Sequence, residues 1–335
     1  MGLIVMKVRM KEVAKTAGVS TATVSYVINK TRFVSEEKKQ KVLQAMEQLG
    51  YTPNSAARSL RSKKSYTIGL IVPDINNFFF TGIIEGIEQV VQSNGYQLIL
   101  SNSNENFANE KEQINRFNSQ LIDGLIMAPT ADDHSFLCGT LGEYPVVYID
   151  RKPNGCFGES VLVNNSEVVY EAITYLIKAG HEKIGILTGI KDLTTTRERL
   201  AGYQKAFSDY GLQLDNSLIK TGDSRYKSGY ELTKEVLNNK DITALFVANN
   251  LMTIGSMEFL REKKINLPGE LAFIGFDDYK WSSIIIPRLS VIKQPTAEMG
   301  RKAAEILLKR IKEEEQNNYS KEYRLTAKFY LRDSC

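Results

Sequence analysis

"MKEVAKTAGVSTATVSYVIN", residues 10–29, decides what kind of chain this is. Apolar residues recur at helical spacing over 10–17 and again over 20–29, so two short helices are expected. Gly18 supplies the turn between them, and Ala14 is small, as a close helix approach requires. Val19 and Val24 can pin the second helix onto the first. This is the helix–turn–helix form. A third helix is expected at 35–49, where Ser35 can cap it and Glu36 and Glu37 suit the positive end of its dipole. Val42, Leu43, Met46 and Leu49 form its stripe, and Gly50 suits its stop. The second helix, opened by Ser20, turns Val24, Val27 and Ile28 inward. It leaves Thr21, Ala22, Ser25, Tyr26 and Asn29 outward, with no Arg, Lys or Gln at its tip.

Charge separates this module from the rest. Residues 1–64 carry 13 Lys and Arg against 4 Asp and Glu, whereas the remainder carries 30 against 35. A basic module ahead of a mildly acidic body points to a polyanion partner, most simply nucleic acid, with a merely solvated basic face as the bland alternative. Residues 51–65, "YTPNSAARSLRSKKS", form a basic linker in which only Ala56, Ala57 and Leu60 could make an apolar side. A helix that short is marginal without support.

The 335 residues suffice for two or three domains. Cys138, Cys156 and Cys335 are odd in number and far apart, and His134 and His181 are the only histidines. No disulfide framework, metal site or cofactor is expected, and a reducing cytoplasm fits. The start "MGLIVMKVRMKEV" has no basic residue ahead of its apolar run, so it does not read as a signal peptide, and no run reaches transmembrane length. Met1, Met6 and Met10 are alternative starts.

From Tyr66 the pattern changes to short apolar runs separated by helical segments. They are "YTIGLIV" (66–72), "YQLILS" (96–101), "DGLIMA" (123–128), "PVVYID" (145–150), "KIGILTG" (183–189), "SLIKTGD" (217–223), "ITALFVA" (242–248) and "LAFIGFDD" (271–278). Such spacing is what strand–helix–strand units produce, so an α/β body with buried parallel strands is expected. Ligands of such sheets sit at the carboxyl ends of the strands, which directs attention to the residues just after each run. Residues 312–321 read as a polar surface loop. Enzyme motifs are missing: there is no Gly-x-Ser-x-Gly, no phosphate loop, and no Gly-x-Gly-x-x-Gly after the first run. His181 reads as structural. The pair Asp277–Asp278 lacks the further ligands a catalytic metal needs.

The stretches "EVAKTAGVSTATVSYVIN", "VSEEKKQKVLQAMEQLGYTPNSAARSL", "IGLIVPDINNFFF", "RERLAGY" and "AFIGFDDYKW" together resemble the lactose-repressor (LacI/GalR) family of bacterial transcription regulators, essentially end to end. The DNA half looks most like the purine- and ribose-repressor branch. The resemblance implies a helix–turn–helix headpiece at 1–50 and a hinge helix at 51–65. It places a two-lobed, periplasmic-binding-protein-like α/β body at 66–335, with crossovers near 163, 292 and 323. It also implies a homodimer on a pseudo-palindromic double-stranded DNA operator, a small sugar-like effector, and no membrane. The expected function is a DNA-binding regulator, a repressor above all, whose operator affinity follows the effector. Control by a phosphoprotein partner is the alternative. A sugar-transport protein is the rival from another class, and it would need an export signal and no basic headpiece.

By the same resemblance, Thr21, Ala22 and Tyr26 face base edges: Thr21 can hydrogen-bond a base and Ala22 can touch a thymine methyl. Arg32 matches a position that reaches guanine, with a phosphate contact or a solvated loop charge as the alternative. Ser20, Ser25, Asn29, Ser35 and Asn54 match phosphate-binding positions, although capping alone would explain Ser20 and Ser35. Leu60 is implied to wedge into the minor groove beside Arg58 and Arg61, unless it packs on the body. Arg9 stands where the family places a capping Thr, a loss of about 1 kcal/mol. The implied effector residues are Asn77, Phe79 and Phe80, then Asp150 and Arg151, Thr195 and Arg199, Asn249, Asp277 and Lys293. Ser224 occupies a place where relatives carry an aromatic ring, which argues against a purine stacked there. The two adjacent phenylalanines could supply a stacking face. Arg199, Asp277 and Asn249 suit vicinal hydroxyls, and inter-lobe salt bridges are the alternative use of the charges.

Overall fold

The computed structural model describes residues 8–29, 32–51, 64–137, 144–155, 158–238, 241–313 and 320–335. They fall into two compact units, Met1–Ser65 and Tyr66–Cys335, taken separately below.

In the first unit, α1 (Met10–Ala17) stops at Gly18, whose φ of +64° is the left-handed conformation that glycine adopts without strain. The chain turns back there, and the Val19 N–H donates to the Ala14 carbonyl at 3.0 Å. Helices α2 (Thr21–Asn29) and α3 (Glu36–Gln48) complete the three-helix module. Its small core is Val13, Ala14, Ala17, Val24, Val42 and Ala45, with Val19, Val27, Ile28, Met46 and Leu49 packed around it. Arg9 supplies no side-chain cap to α1. The Glu12 carboxylate instead accepts from the Arg9 N–H at 2.7 Å, which is half of a capping box.

In the second unit most of the strongly apolar runs make strands buried on both faces, as the interior of a parallel sheet requires, whereas the edge runs at 97–102 and 219–221 are only partly buried, which corrects the expectation for those two. The first sheet contains β1 (Thr67–Val72), β2 (Gln97–Asn102), β3 (Gly124–Met127), β4 (Val146–Ile149), β5 (Glu159–Val163) and β11 (Glu322–Leu325). The second contains β6 (Ile184–Thr188), β7 (Ile219–Thr221), β8 (Ala244–Val247), β9 (Ala272–Phe276), β10 (Ser290–Lys293) and β12 (Lys328–Tyr330). The orders are β2-β1-β3-β4-β5-β11 and β7-β6-β8-β9-β10-β12, one arrangement used twice. Only the outer partner differs: β11 runs parallel to β5, while β12 runs antiparallel to β10.

Helices α4 (Phe78–Ser93), α5 (Phe107–Ser119) and α10 (Thr296–Glu313) cover the first sheet. Helices α6 (Asn165–Lys178), α7 (Thr194–Asp209), α8 (Tyr226–Val236) and α9 (Asn250–Glu262) cover the second. The chain therefore passes from lobe 1 to lobe 2 between β5 and α6, returns between β10 and α10, and passes over once more between β11 and β12. Helices α4 and α10 meet backbone to backbone at Gly86 and Gly300, where a Cβ would collide with the Ala297 and Ile83 carbonyls.

All eight apolar runs contain strands, although only Ile219–Thr221 of the run at 217–223 is extended; Asn216–Leu218 is a 3-10 turn. Four strands carry too little apolar signal to stand out. Strand β5 opens with a buried charge, Glu159, which is held by the Arg310 guanidinium at 2.7 and 2.9 Å. Strands β11 and β12 are short, charged edge strands, a composition that discourages pairing with other chains. Of the expected polar loop at 312–321, the first two residues belong to α10, and 314–319 lie outside the described residues.

Candidate ligand cleft and nucleic-acid interface

The strand ends of the two lobes converge on a cavity. Ten of the expected effector residues line it: Asn77, Phe79, Phe80, Asp150, Arg151, Thr195, Arg199, Ser224, Asn249 and Asp277. Local structure explains their placement. Asn77 follows β1 and caps α4 by accepting from the Phe79 N–H at 3.0 Å. Asn249 follows β8 and caps α9 by accepting from the Met252 N–H at 3.1 Å. Thr195 lies in the first turn of α7, whose N-cap, Leu193, offers no side-chain acceptor. Asp150, Ser224 and Asp277 have φ of +67°, +63° and +65°. Residues with a Cβ enter that region at a cost, and it recurs at sites that need a side chain aimed against the run of the strand.

Burial sets the electrostatics. Arg199 donates from Nε to Asn165 at 2.9 Å and from Nη1 to the Ala248 carbonyl at 2.8 Å. Its guanidinium lies 3.7 Å from the Phe276 ring centroid. Burial lowers its pKa against the opposing pull of Asp150 and Asp277. Arg151 is spent differently: it forks onto Glu105 at 2.9 and 2.6 Å and donates to the Pro129 carbonyl at 3.0 Å. Burial disfavours its charge, but Glu105, together with Asp150 and Glu110, outweighs burial and its pKa rises. Burial also raises the Asp150 carboxyl, despite Arg151 and Arg199 nearby. Asp277 accepts from Gln294 Nε2 and Asn250 Nδ2, both at 2.8 Å, and burial pushes its pKa up to about 6.

Lys293 is the exception among the expected cleft residues. It does not line the cavity; its side chain is half exposed, with Nζ 3.4 Å from Asp278 and 5.6 Å from the Tyr330 ring centroid. Successive strand residues face opposite ways, so the next residue, Gln294, takes the inward place. Phe79 and Phe80, expected to supply a stacking face, both line the cavity. The two rings meet edge to face with centroids 5.0 Å apart, and both are core residues, so they form a wall of the cavity and not one flat platform. Neither Arg199 nor Asp277 forms an inter-lobe ion pair among the described residues. Asn250, Gln294 and Thr196 line the cavity without having been expected. The doubled asparagine 249–250 at a strand end was the available signal for the first.

Several contacts tie the lobes together around the cavity. Asn250 Nδ2 donates to Asn77 Oδ1 at 2.7 Å, and the Phe78 and Tyr279 rings meet edge to face at 5.7 Å. At the rim, Arg197 pairs with Asp132 at 2.8 Å and Thr194 Oγ1 donates to the Lys152 carbonyl at 2.6 Å. His134 and His181 lie elsewhere: His134 is fully buried 2.5 Å from Glu110, and His181 meets Thr243 Oγ1 at 2.9 Å. Among the described residues no group of three or more His, Cys, Asp or Glu could hold a metal ion. No helix among them is long and apolar enough to cross a membrane.

In the first unit, Thr21 and Ala22 are exposed in the first turn of α2, and Ser25 and Tyr26 are partly exposed. Ser20 caps the helix, its Oγ accepting from the Thr23 N–H at 3.1 Å. Ser35 sits at the N-cap of α3 but makes no side-chain cap bond, which corrects that expectation; its backbone carbonyl accepts from Lys39 instead. The Arg32 guanidinium lies 5.3 Å from the Tyr26 ring centroid, so the loop residue and the helix residue share one surface. The side chain of Asn29, and all of Asn54, Arg58, Leu60 and Arg61, lie outside the described residues.

Known proteins share this arrangement. Residues 9–54 match the profile of the bacterial regulatory proteins of the lacI family, and residues 173–335 match that of a periplasmic binding protein-like domain. The transcriptional repressor PurR of Photobacterium profundum is 34% identical over 328 residues, covering 97% of this chain and 98% of its own. A crystal structure of the lac repressor dimer bound to operator and the anti-inducer ONPF superposes with a TM-score of 0.84 at 26% identity, covering 98% of each chain. A LacI family regulator from Enterococcus faecium with bound ribose superposes at 0.72 with 27% identity, covering 80% of this chain and 98% of its own. A helix–turn–helix module followed by a two-lobed ligand-binding body defines a class, the DNA-binding transcription regulators that answer to a small molecule. Within it, this chain belongs to the lacI family of bacterial regulatory proteins.

Proposed function

We propose that the chain acts as a homodimeric repressor on a pseudo-palindromic operator, and that a sugar-like effector held between the lobes sets its affinity for DNA. Two-fold protein symmetry is matched by two operator half-sites. Thr21, Ala22 and Tyr26 read base edges, Arg32 contacts guanine, and Ser20, Ser25, Asn29, Ser35 and Asn54 hold phosphates. Leu60, flanked by Arg58 and Arg61, wedges the minor groove. The observation that carries the reading is the cavity at the strand ends, lined by converging polar groups and spanned by the bond between Asn77 and Asn250. An effector that fits one closure of the lobes better than another shifts the balance between them, and with it the operator affinity.

Support for a sugar comes from Arg199 and Asp277, and from the ribose-bound relative. Ser224 in place of a ring counts against a stacked purine, despite the PurR relatives. The test is fluorescence anisotropy of an operator duplex with the full-length protein, with and without each of a panel of sugars and purines. One sugar is expected to change the affinity. A response to purines alone, or to no small molecule, sinks the sugar reading, and the second outcome favours a protein partner. Leu60→Ala is expected to weaken operator binding by a few kcal/mol while sparing effector binding. Equal operator affinity for variant and parent removes the wedge.

A further inference from the structure

We propose that the cleft selects an uncharged polyol and rejects the phosphorylated form of the same sugar. This rests on the effector reading above. Two buried side-chain atoms of the cavity residues lack a hydrogen-bond partner: Arg151 Nε, which already faces Asp150 Oδ2 at 3.4 Å, and one acceptor that nothing faces. Gln294 Oε1 is buried and has no hydrogen-bond partner. Asp150 and Asp277 place two buried carboxylates on the same cavity, one from each lobe. A buried acceptor left without a donor is costly, so the ligand has to bring donors. A hydroxyl brings one and can accept as well, whereas a phosphate dianion brings none.

The positive groups are already committed. Arg151 is forked onto Glu105 and bonded to the Pro129 carbonyl, and its Nε, which has no hydrogen bond, faces Asp150 at 3.4 Å. Arg199 has spent Nε and Nη1 on Asn165 and Ala248, which leaves Nη2 without a bond among the described residues. No lysine lines the cavity, since Lys293 faces away. A phosphate entering here would meet two carboxylates and one partly free guanidinium. The upward displacement of both aspartates means the cleft already holds its own negative charge with difficulty. Asn77 and Asn249 cap α4 and α9, so those helix N-termini are partly satisfied. The first turn of α7 has no side-chain cap and lends its N–H groups to a ring oxygen or hydroxyl as readily as to an anion.

The experiment is calorimetric titration of the full-length protein with D-ribose, D-glucose and cellobiose, and with ribose 5-phosphate and glucose 6-phosphate. Operator anisotropy runs in parallel. At least one neutral sugar is expected to bind, and its phosphate ester to bind roughly 100-fold more weakly. Asp150→Asn removes one negative charge and keeps the shape. It is expected to narrow the gap about tenfold, with operator binding of the variant as the control for folding. An ester that binds as tightly as its parent overturns the proposal, and so does binding of no neutral sugar. Failure to bind any operator overturns the regulator reading instead, so the two failures are distinguishable.

Discussion

The two lobes of the body use one strand order, and each ends its fourth strand in an aspartate with a left-handed backbone: Asp150 after β4 and Asp277 after β9. Backbone and burial are the same at both, with each residue 7% exposed. The neighbours differ. Asp150 has Arg151 beside it, with Nε 3.4 Å away. Asp277 is followed by Asp278, which turns away to Arg332 at 2.7 Å and Lys293 at 3.4 Å, so Asp277 relies on the neutral amides of Asn250 and Gln294. A repeated fold therefore repeats where a side chain is presented and leaves its charge state to the side chains around it. The lobe 1 carboxylate is held beside a guanidinium. The lobe 2 carboxylate takes its hydrogen bonds from neutral amides, with Arg199 acting on it only through its field; burial raises both carboxyls, Asp277 to about 6.

The comparison can be broken most directly at the two aspartates. Asp277→Asn is expected to weaken polyol binding roughly 100-fold, and Asp150→Asn about tenfold, since losing a hydrogen bond to a charged group costs about 1.5–3 kcal/mol and Arg151 shares the charge of Asp150. Equal losses by calorimetry would mean that the lobes grip the ligand alike. Asn250→Ala removes one donor from Asp277 together with the bond to Asn77 across the cleft, and is expected to cost about 2 kcal/mol in urea unfolding. A loss much below that would show the cross-lobe bond to be incidental.

Acidity sharpens the contrast further. Asp277 holds its proton more tightly in the fold than at its ordinary value of 3.8, so the stability this group contributes is full below about pH 4 and is lost as pH rises through about 6. Ligand binding runs the other way, because the ionised carboxylate is the acceptor. Polyol affinity is expected to fall about tenfold between pH 7 and pH 5 in the parent and to stay flat in Asp277→Asn. A parent profile as flat as that of the variant would place the relevant acceptor elsewhere. The smallest effect is expected at the rim. Arg197→Ala breaks a half-exposed pair with Asp132 and is expected to change stability by less than about 1 kcal/mol, read by the same unfolding assay.

Much of this was legible in one dimension. Helices α1 to α3 and the first strands follow from periodicity, because burying one face of a helix or both faces of a strand leaves a periodic mark. Ten cleft residues were reached because strand ends collect ligands and the family resemblance named which ends. Lys293 shows where that reasoning stopped. Whether residue 293 or 294 faces the cavity is a matter of strand register, and near the end of a short strand the residue types alone do not settle it. The inter-lobe bonds were equally hidden: Asn77 and Asn250 are 173 positions apart.

The helix–turn–helix pattern, the basic character of the first 64 residues and the alternation of strand and helix belong to the sequence, since each depends on residues a few positions apart. The tertiary structure decided what depends on distant residues. It buried Asp150 and Asp277 at one cavity, committed Arg151 to Glu105, left Gln294 Oε1 without a donor, and turned Lys293 out to solvent. Those facts set the charge of the cleft and its need for hydrogen-bond donors. They follow from desolvation and from which groups meet in space, neither of which is written in the order of residues along the chain.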